Sequence, residues 1–142
     1  MKNYDLERFL REQEYDYDTA LDEIRAGHKQ SHWIWYIFPQ LRGLGRSYNS
    51  EFFGIEDIDE ARAYLQHPVL GAHLREITEA LLGLEVSDPE KVMGGSIDSV
   101  KLNSCMTLFA AISEEGSIFH RVLDKFFGGQ QDSHTLSMLQ QE

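Results

Sequence analysis

The sequence predicts an all-α fold, a single compact domain of about seven or eight short helices that takes in residues 1–142. Apolar residues recur at positions i, i+3 and i+4 in most segments, which is the period of an amphipathic helix. Glycine, proline and helix-capping residues separate these segments at short intervals. No segment shows the sustained alternation of apolar and polar residues that predicts strands. The length is that of one ordinary domain, and neither a repeat nor a low-complexity linker divides it.

Two amphipathic helices are expected before Gly27. Their apolar faces comprise Leu6, Phe9 and Leu10 in the first and Tyr17, Ala20, Leu21 and Ile24 in the second. Gly27 is placed to end the second helix, because glycine readily adopts the left-handed conformation of a C-terminal cap. The run WIWYIF, residues 33–38, is expected to form a short buried helix ended by Pro39, with Ser31 as its cap. Its period fits a strand equally well, but a lone strand among helices would have nothing to pair with.

Capping residues mark the helices that follow. Asp57 and Glu60 have capping-box spacing ahead of a helix that ends where His67 meets Pro68. The next helix is expected to carry Pro68 in its first turn and to end at Gly83. Four more helices are expected. The first is opened by Asp88 and Pro89 and closed by Gly94 and Gly95, and the second runs from Ser96 or Asp98 to before Gly116. The third is capped by Ser117 and ended by Gly128, and the last runs from Ser133 through Leu139.

Composition narrows the class of protein. With 42% hydrophobic and 26% charged residues the chain resembles a soluble globular protein, and no stretch approaches the ~20 apolar residues of a membrane span. The first residues lack the apolar core of a secretory signal, so we expect a cytoplasmic location. The net charge of -11 disfavours binding to nucleic acids or membrane surfaces. Cys105 is expected to be a buried thiol, and nothing in the sequence calls for a cofactor.

One segment departs from the acidic balance of the chain. Residues 24–50 hold no Asp or Glu, and their lysine, arginine and histidine side chains are Arg25, His28, Lys29, His32, Arg42 and Arg46. A local net positive charge is expected where an anion or the carboxylates of a partner approach. A core-forming segment that excludes acids gives the same pattern, and the sequence leaves both interpretations open.

The aromatic and glycine-rich parts of this segment are candidate ligand contacts. If residues 33–38 are helical, Trp33 and Trp35 point about 200° apart, so one can pack in the core while the other lines a cleft and stacks on a flat ring. The glycines beside Arg42 and Arg46 allow a phosphate to approach backbone amides, as in an anion cradle. Alternatively, both tryptophans serve only to pack the core, and the glycine-rich segment is a surface loop that binds no ligand.

A second candidate region is SIDSVKLNSCMTLF, residues 96–109. Asp98 and Lys101 are three residues apart and therefore neighbours on a helical face. Lys101 and Ser104, again three apart, continue a polar stripe that faces either a pocket or another helix. The alternative is an Asp that complements the helix dipole and a Lys whose ammonium group reaches water.

Glu23 and His32 are the candidate catalytic residues. Glu23 is the acid nearest the aromatic segment in sequence, and it is a candidate partner for Lys29 or a catalytic group. His32 has an intrinsic pKa that suits a general base near neutral pH, although a histidine that is hydrogen-bonded in a core is equally natural. No metal site is expected, because His28 and His32 would share a helical face only if a helix ran through Gly27.

Four motifs together carry a resemblance to a known family. They are SHWIWYIFPQLRGLG, HPVLG, KLNSCMTLF and FFGGQQDSHTLSML. The chain resembles, from about Tyr17 to Leu139, an uncharacterised bacterial family of small all-helical proteins whose members often carry the misleading label calpastatin. The resemblance implies the helical fold, and it implies neither an activity nor catalytic residues. A relation to the animal protease inhibitor is discounted, because such inhibitors are extended whereas this chain has 11% aromatic residues and regular helix signals.

These observations lead to two hypotheses of function. The first is a domain that binds a small anionic, ring-containing molecule, such as a nucleotide or an ADP-ribose-like compound, with hydrolysis by Glu23 or His32 as the natural form of any catalysis. Its expected ligand-binding residues are Lys29, Trp35, Arg42, Arg46, Asp98, Lys101 and Ser104. The second is a non-enzymatic interaction domain whose aromatic segment is core and whose basic loop docks an acidic protein partner. A third possibility is that Arg25 and Arg42 only pair with acids such as Glu23 or Asp98 and so fix the fold. A pocket requires Trp35, Arg42 and Lys101 to converge on one concavity, whereas a docking domain needs them only on a flatter, exposed patch.

Overall fold

Nine α-helices lie within residues 3–141, the part of the chain that this computed structural model describes. In chain order they are α1 (Glu7–Arg25), α2 (Ile34–Ile37), α3 (Tyr48–Phe52), α4 (Ile58–Gln66), α5 (Leu70–Leu82), α6 (Pro89–Met93), α7 (Ser96–Ala111), α8 (Ile118–Phe127) and α9 (Ser133–Gln140). An isolated parallel bridge joins Leu41 and Ile55. The prediction of an all-α fold is confirmed, with one or two more helices than expected.

The two helices expected before Gly27 are a single helix, α1, so that prediction is wrong. The polar residues between the two apolar stretches contain no helix breaker, and one of them is buried. Gln13 donates hydrogen bonds from Nε2 to the carbonyl of Tyr36 at 2.8 Å and to the Tyr64 hydroxyl at 2.9 Å. The polar stretch is thus compatible with a continuous helix, since its buried side chain, Gln13, has hydrogen-bond partners inside the protein. Gly27, with φ of +79°, ends it as predicted.

The aromatic run forms the short helix α2, but its predicted cap is wrong. The helix begins after Trp33, which makes no side-chain capping bond, and Pro39 follows it closely. Ser31 instead donates its hydroxyl proton to Glu23 Oε2 at 2.6 Å. Trp33 is buried in the core, whereas Trp35 is only partly buried, which confirms the expected division between the two tryptophans.

The capping residues predicted from the sequence set most of the later helix boundaries. Asp57, Asp88 and Ser117 each accept a backbone N–H at the start of their helices, as expected. Helix α5 begins at Leu70, so Pro68 precedes the helix and does not lie in its first turn. Helix α3 was not expected, because a five-residue helix is too short to show an apolar period.

Helices α5 and α7 form the centre of the packing. Helix α5 packs against α1, α4 and α8, and α7 packs against α6, α8 and α9. Most of α7 is buried, and Cys105 within it is fully buried, so that burial raises the pKa of its thiol. The expectation of a buried thiol is confirmed.

Over residues 3–141, the helices all fall short of the length and apolar character that a membrane span requires.

A buried arginine fixes the segment that carries α3. Arg8 on α1 donates from Nε to the carbonyl of Phe52 at 2.8 Å and from Nη2 to the carbonyl of Gly54 at 2.9 Å. Its Nη1 lies 2.9 Å from Oε2 of Glu60 on α4, and both side chains are buried. Arg8 therefore holds residues 48–54 between α1 and α4, and this positions one wall of the cavities described below.

Candidate ligand-binding site

Trp35 on α2 and Lys101 on α7 form the centre of the candidate site. The Nζ atom of Lys101 lies 4.0 Å from the centroid of the Trp35 ring, which is the geometry of a cation–π contact. The same ammonium group is 3.5 Å from Oδ1 of Asp98, one helical turn earlier. Both Trp35 and Lys101 line two neighbouring cavities of different character, one polar and one apolar.

The polar cavity has a volume of about 330 Å³ and holds most of the charge. It is lined by Glu12, Lys29, His32, Ile34, Trp35, Tyr36, Asn49, Phe53, Asp98 and Lys101. Two lysines and two carboxylates face this space, so their formal charges balance. The predicted pair of Asp98 and Lys101 is confirmed. The predicted pair of Glu23 and Lys29 is not formed, because Lys29 Nζ lies 2.9 Å from Oδ2 of Asp98.

The buried Lys29 is held by several contacts at once. Besides Asp98, its ammonium group donates to the carbonyl of Ser31 at 2.5 Å and lies 4.9 Å from the centroid of the Trp33 ring. Its backbone N–H donates to the carbonyl of Val92 on α6 at 2.7 Å. A buried ammonium group needs such partners, so the positive charge of this residue is compensated inside the protein.

The apolar cavity has a volume of about 410 Å³ and lies between α2, α7 and the start of α9. It is lined by Trp35, Gln40, Leu44, Gly45, Ile97, Val100, Lys101, Ser104, Asp132 and His134. Two of the polar groups are already engaged: Ser104 donates to the carbonyl of Val100 at 3.1 Å, and Asp132 accepts from the backbone N–H of Thr135 at 2.9 Å. Ile97 is 72% exposed, an unusual setting for an isoleucine.

The carboxylate of Glu23 is occupied by hydrogen bonds to the turn between α1 and α2. Its Oε1 accepts the backbone N–H groups of Gln30 at 2.8 Å and Ser31 at 2.9 Å and the indole N–H of Trp33 at 3.0 Å. Partial burial raises the pKa of Glu23, but the hydrogen bonds from these residues outweigh it and lower the pKa from 4.5 to about 2. Both carboxylate oxygens bind the turn between α1 and α2, and Glu23 lines neither the polar nor the apolar cavity. Its catalytic role stays a prediction that this geometry does not favour.

The arginine loop does not join this site. Arg42 donates from Nε to the carbonyl of Glu51 at 2.9 Å and lines a different cavity of about 520 Å³, the Arg42 cavity. Its backbone N–H donates to the carbonyl of Ile55 at 2.8 Å. Arg46 is exposed and lines neither the polar nor the apolar cavity. The expected convergence is therefore incomplete: Trp35 and Lys101 meet, with Lys29, His32, Asp98 and Ser104 around them, while Arg42 and Arg46 lie elsewhere.

Several lining residues were not identified from the sequence. Glu12 on α1 and Asn49 on α3 reach the polar cavity only through helix packing, and nothing in their local sequence marks them. Ile97 and Val100 could have been recognised, because they are apolar residues that do not lie on the buried face of α7. Within the described part of the chain, no three His, Cys, Asp or Glu side chains are grouped as they would be around a metal ion.

Comparison with known proteins places the chain in a family. The family described as "Protein of unknown function (DUF1810)" matches residues 3–139. The crystal structure of the conserved hypothetical protein Rv1873 from Mycobacterium tuberculosis is similar over 96% of this chain and 97% of that chain, with 41% sequence identity and a TM-score of 0.93. No curated protein matches the chain. The chain therefore belongs to the DUF1810 family, whose function is unknown.

Proposed function

We propose that the protein binds a small anionic molecule with a flat ring, of the nucleotide or ADP-ribose-like kind, at Trp35 and Lys101. The observation that carries this proposal is the ammonium group of Lys101, 4.0 Å from the Trp35 ring centroid where a polar and an apolar cavity adjoin. One pair of residues thus offers an aromatic surface and a cation to the same ligand.

The apolar cavity suits the ring of such a ligand. Its volume of about 410 Å³ lies within the range of small-molecule sites, roughly 300–1,000 Å³. Trp35, Ile97 and Val100 supply apolar surface, and both aliphatic residues are exposed on α7. Covering them with a ring would remove this surface from water, which is a favourable contribution to binding.

Lys101 is the cation that suits the anionic group. The side chain of Lys29 is 5% exposed and that of Lys101 is 21% exposed, so Lys101 is the more accessible of the two. The 3.5 Å separation of Lys101 from Asp98 is longer than the 2.9 Å separation of Lys29 from the same residue. Glu12 and Asp98 face the same cavity, and their charge favours a ligand with one or two negative charges over a polyanion.

A hydrolytic step on the bound ligand would draw on His32. His32 lines the polar cavity beside Lys101, while the Glu23 carboxylate lies in the turn and accepts four hydrogen bonds there. An imidazole beside the anionic group is the type of side chain that accepts a proton from an attacking water molecule. This step is an extension of the binding proposal, and binding is tested first.

The binding proposal is tested by thermal shift and isothermal titration calorimetry with AMP, ADP, ADP-ribose and inorganic phosphate. We expect saturable stabilisation by a ring-containing compound, about 2.7 kcal/mol at one hundred times its dissociation constant. Lys101→Met should weaken binding about ten-fold or more, because it keeps the aliphatic stem and removes the charge. Trp35→Leu should weaken it as well. Lys91→Met is the matched control, since Lys91 is an exposed lysine on α6 that lines neither cavity.

Two results would contradict the proposal. The first is the absence of a shift with all four compounds. The second is binding that Lys101→Met leaves at the wild-type affinity. The first result would favour the docking of a protein partner on the exposed Ile97 and Val100, and pull-down with wild type and Ile97→Ser would then be the next experiment. The second result would mean that the ligand binds away from Lys101.

A further inference from the structure

We infer that the ligand of this site carries a second flat ring, which stacks on the exposed pair Tyr48 and Phe52 of α3. This inference rests on the proposed function and names the ligand class more closely: two rings joined by a polar, anionic linker, as in a dinucleotide. Tyr48 and Phe52 are called the aromatic ledge below. Three features of the structure support the assignment: continuity of the cavities, geometry of the ledge and the charges between the two ring positions.

The polar cavity continues to the aromatic ledge. A further cavity of about 300 Å³, the ledge cavity, is lined by Tyr48 and Phe52 and shares Glu12, Asn49 and Phe53 with the polar cavity. The polar cavity in turn shares Trp35 and Lys101 with the apolar cavity. The apolar, polar and ledge cavities therefore adjoin one another in that order, and together they are called the groove. At its far end Tyr48 and Phe52 also line the Arg42 cavity, so Arg42 lies near the ledge and not near Trp35. An elongated molecule fits such a groove better than a compact one does.

The geometry of the ledge is that of a stacking platform. The rings of Tyr48 and Phe52 are nearly parallel, with 9° between their planes and 5.5 Å between their centroids. Phe52 also packs edge-on against Phe53 at 4.8 Å, and Phe53 belongs to the core, so the ledge is anchored. Tyr48 is 75% exposed, which leaves much of its ring open to a ligand. Exposed aromatic side chains stack on flat ligand rings with little selectivity for the ring, because every such ring has a π-face.

Polar and charged side chains lie between the two ring positions. Lys101 lies at the Trp35 end, and Arg11 lines the ledge cavity. A linker with one or two negative charges would pass both cations. Glu12 and Asn49 line the shared part of the groove, where they match the hydroxyl groups of a sugar, since carboxylates accept and amides donate hydrogen bonds.

The inference is tested by calorimetry with ADP-ribose and NAD⁺, two compounds that differ by one nicotinamide ring and the positive charge that it carries, and the Tyr48 variants separate stacking from charge. We expect NAD⁺ to bind about ten-fold more tightly than ADP-ribose, the contribution of one stacked ring. Tyr48→Ala should abolish this difference and leave the affinity for ADP-ribose unchanged. Tyr48→Phe, which keeps the ring, should preserve it. The matched control is Tyr15→Ala, because Tyr15 is 80% exposed on α1 and lines none of the three cavities of the groove.

The outcomes separate the inference from the proposed function. Equal affinities for NAD⁺ and ADP-ribose, or a preference for NAD⁺ that survives Tyr48→Ala, would overturn the second ring site. If ADP-ribose still bound in a manner that depended on Lys101, the proposed function would stand without it. If neither compound bound, the second ring site would fail, and the proposed function would be decided by the titrations with AMP and ADP. Tyr48 is a surface residue, so we expect its variants to fold, and a thermal denaturation curve of each variant verifies this.

Discussion

At the scale of single residues, Glu23 shows how a carboxylate organises a turn. The chain between α1 and α2 must reverse direction, and its backbone N–H groups at Gln30 and Ser31 have no helical partner. Glu23 accepts both of them together with the hydroxyl of Ser31 and the indole N–H of Trp33. Hydrogen bonds to an ionised acceptor are stronger than those between neutral groups, so one side chain holds the turn and orients the tryptophan.

We predict that Glu23→Gln lowers the free energy of unfolding by about 2 kcal/mol near neutral pH, because the charge-assisted hydrogen bonds are lost. The folded-state pKa of about 2 lies below the usual 4.5, so the stabilisation by this group is present above pH 4.5 and is lost as the pH falls toward 2. The difference in stability between wild type and Glu23→Gln should therefore shrink through that window. Urea denaturation at several pH values measures it.

The control for this prediction is Glu14→Gln, a change at an exposed glutamate of the same helix. It should alter the stability by less than about 0.5 kcal/mol, as surface substitutions usually do. A Glu23→Gln variant as stable as Glu14→Gln at pH 7 would show that the turn does not depend on the carboxylate.

At the scale of helices, the joint between α4 and α5 depends on a glycine. Gly71 lies in the first turn of α5, where a Cβ atom would lie 2.0 Å from the carbonyl oxygen of Leu65 on α4. That obstacle is backbone, which cannot turn aside as a flexible side chain can. The close approach of the two helices therefore requires a residue without a side chain at position 71.

We predict that Gly71→Ala destabilises the protein by about 3 kcal/mol, the upper part of the usual range for overpacking. The helices must separate to admit the methyl group, and the contacts between α4 and α5 are weakened. Thermal and urea denaturation measure the loss, and circular dichroism verifies that the helical content is kept.

Gly83→Ala is the matched control at the other end of the same helix. A Cβ atom there has its nearest neighbour at 3.6 Å, an ordinary contact, and Gly83 has a negative φ. We expect this variant to change the stability by less than about 1 kcal/mol, with stabilisation the more natural direction because the unfolded chain loses freedom. A Gly71→Ala variant no less stable than Gly83→Ala would contradict the steric argument.

At the scale of the whole molecule, the buried pair of Arg8 and Glu60 joins parts of the chain that are far apart in sequence. Arg8 belongs to α1 and Glu60 to α4, and the guanidinium group also holds the carbonyls of Phe52 and Gly54. The second carboxylate oxygen of Glu60 accepts the backbone N–H of Glu56 at 2.7 Å. The segment that carries α3, and with it the aromatic ledge, depends on this network.

We predict that Arg8→Met destabilises the protein by about 4 kcal/mol, because it leaves a buried carboxylate without its counter-charge. Adding Glu60→Gln should cost little more or restore part of the stability, since it removes the uncompensated charge. Arg62→Met is the control: Arg62 pairs with Asp59 at 3.5 Å on the exposed face of α4, and such pairs contribute less than about 1 kcal/mol. A double variant that lost the sum of the two single losses would contradict the coupling.

The helical class and many of the helix ends are readable from the order of residues alone. Asp57, Asp88 and Ser117 form local hydrogen bonds with N–H groups two or three residues ahead, and Gly27 and Gly94 adopt positive φ where helices end. These contacts lie within a few residues of each other, so the order of residues specifies them directly. The sequence also predicted that one tryptophan would be buried and the other more exposed, but Trp33 lies outside α2, so the helical period does not explain which one is buried.

The set of residues that meet at the candidate site depends on how the helices pack. Lys29 and Asp98 meet although 69 positions separate them, and this pair, not one with Glu23, compensates the buried charge. Glu12 and Asn49 reach the polar cavity from α1 and α3, while Arg42 lines a different cavity. A groove between helices is formed by packing over the whole chain, and the local periods that reveal each helix contain no information about which helices meet.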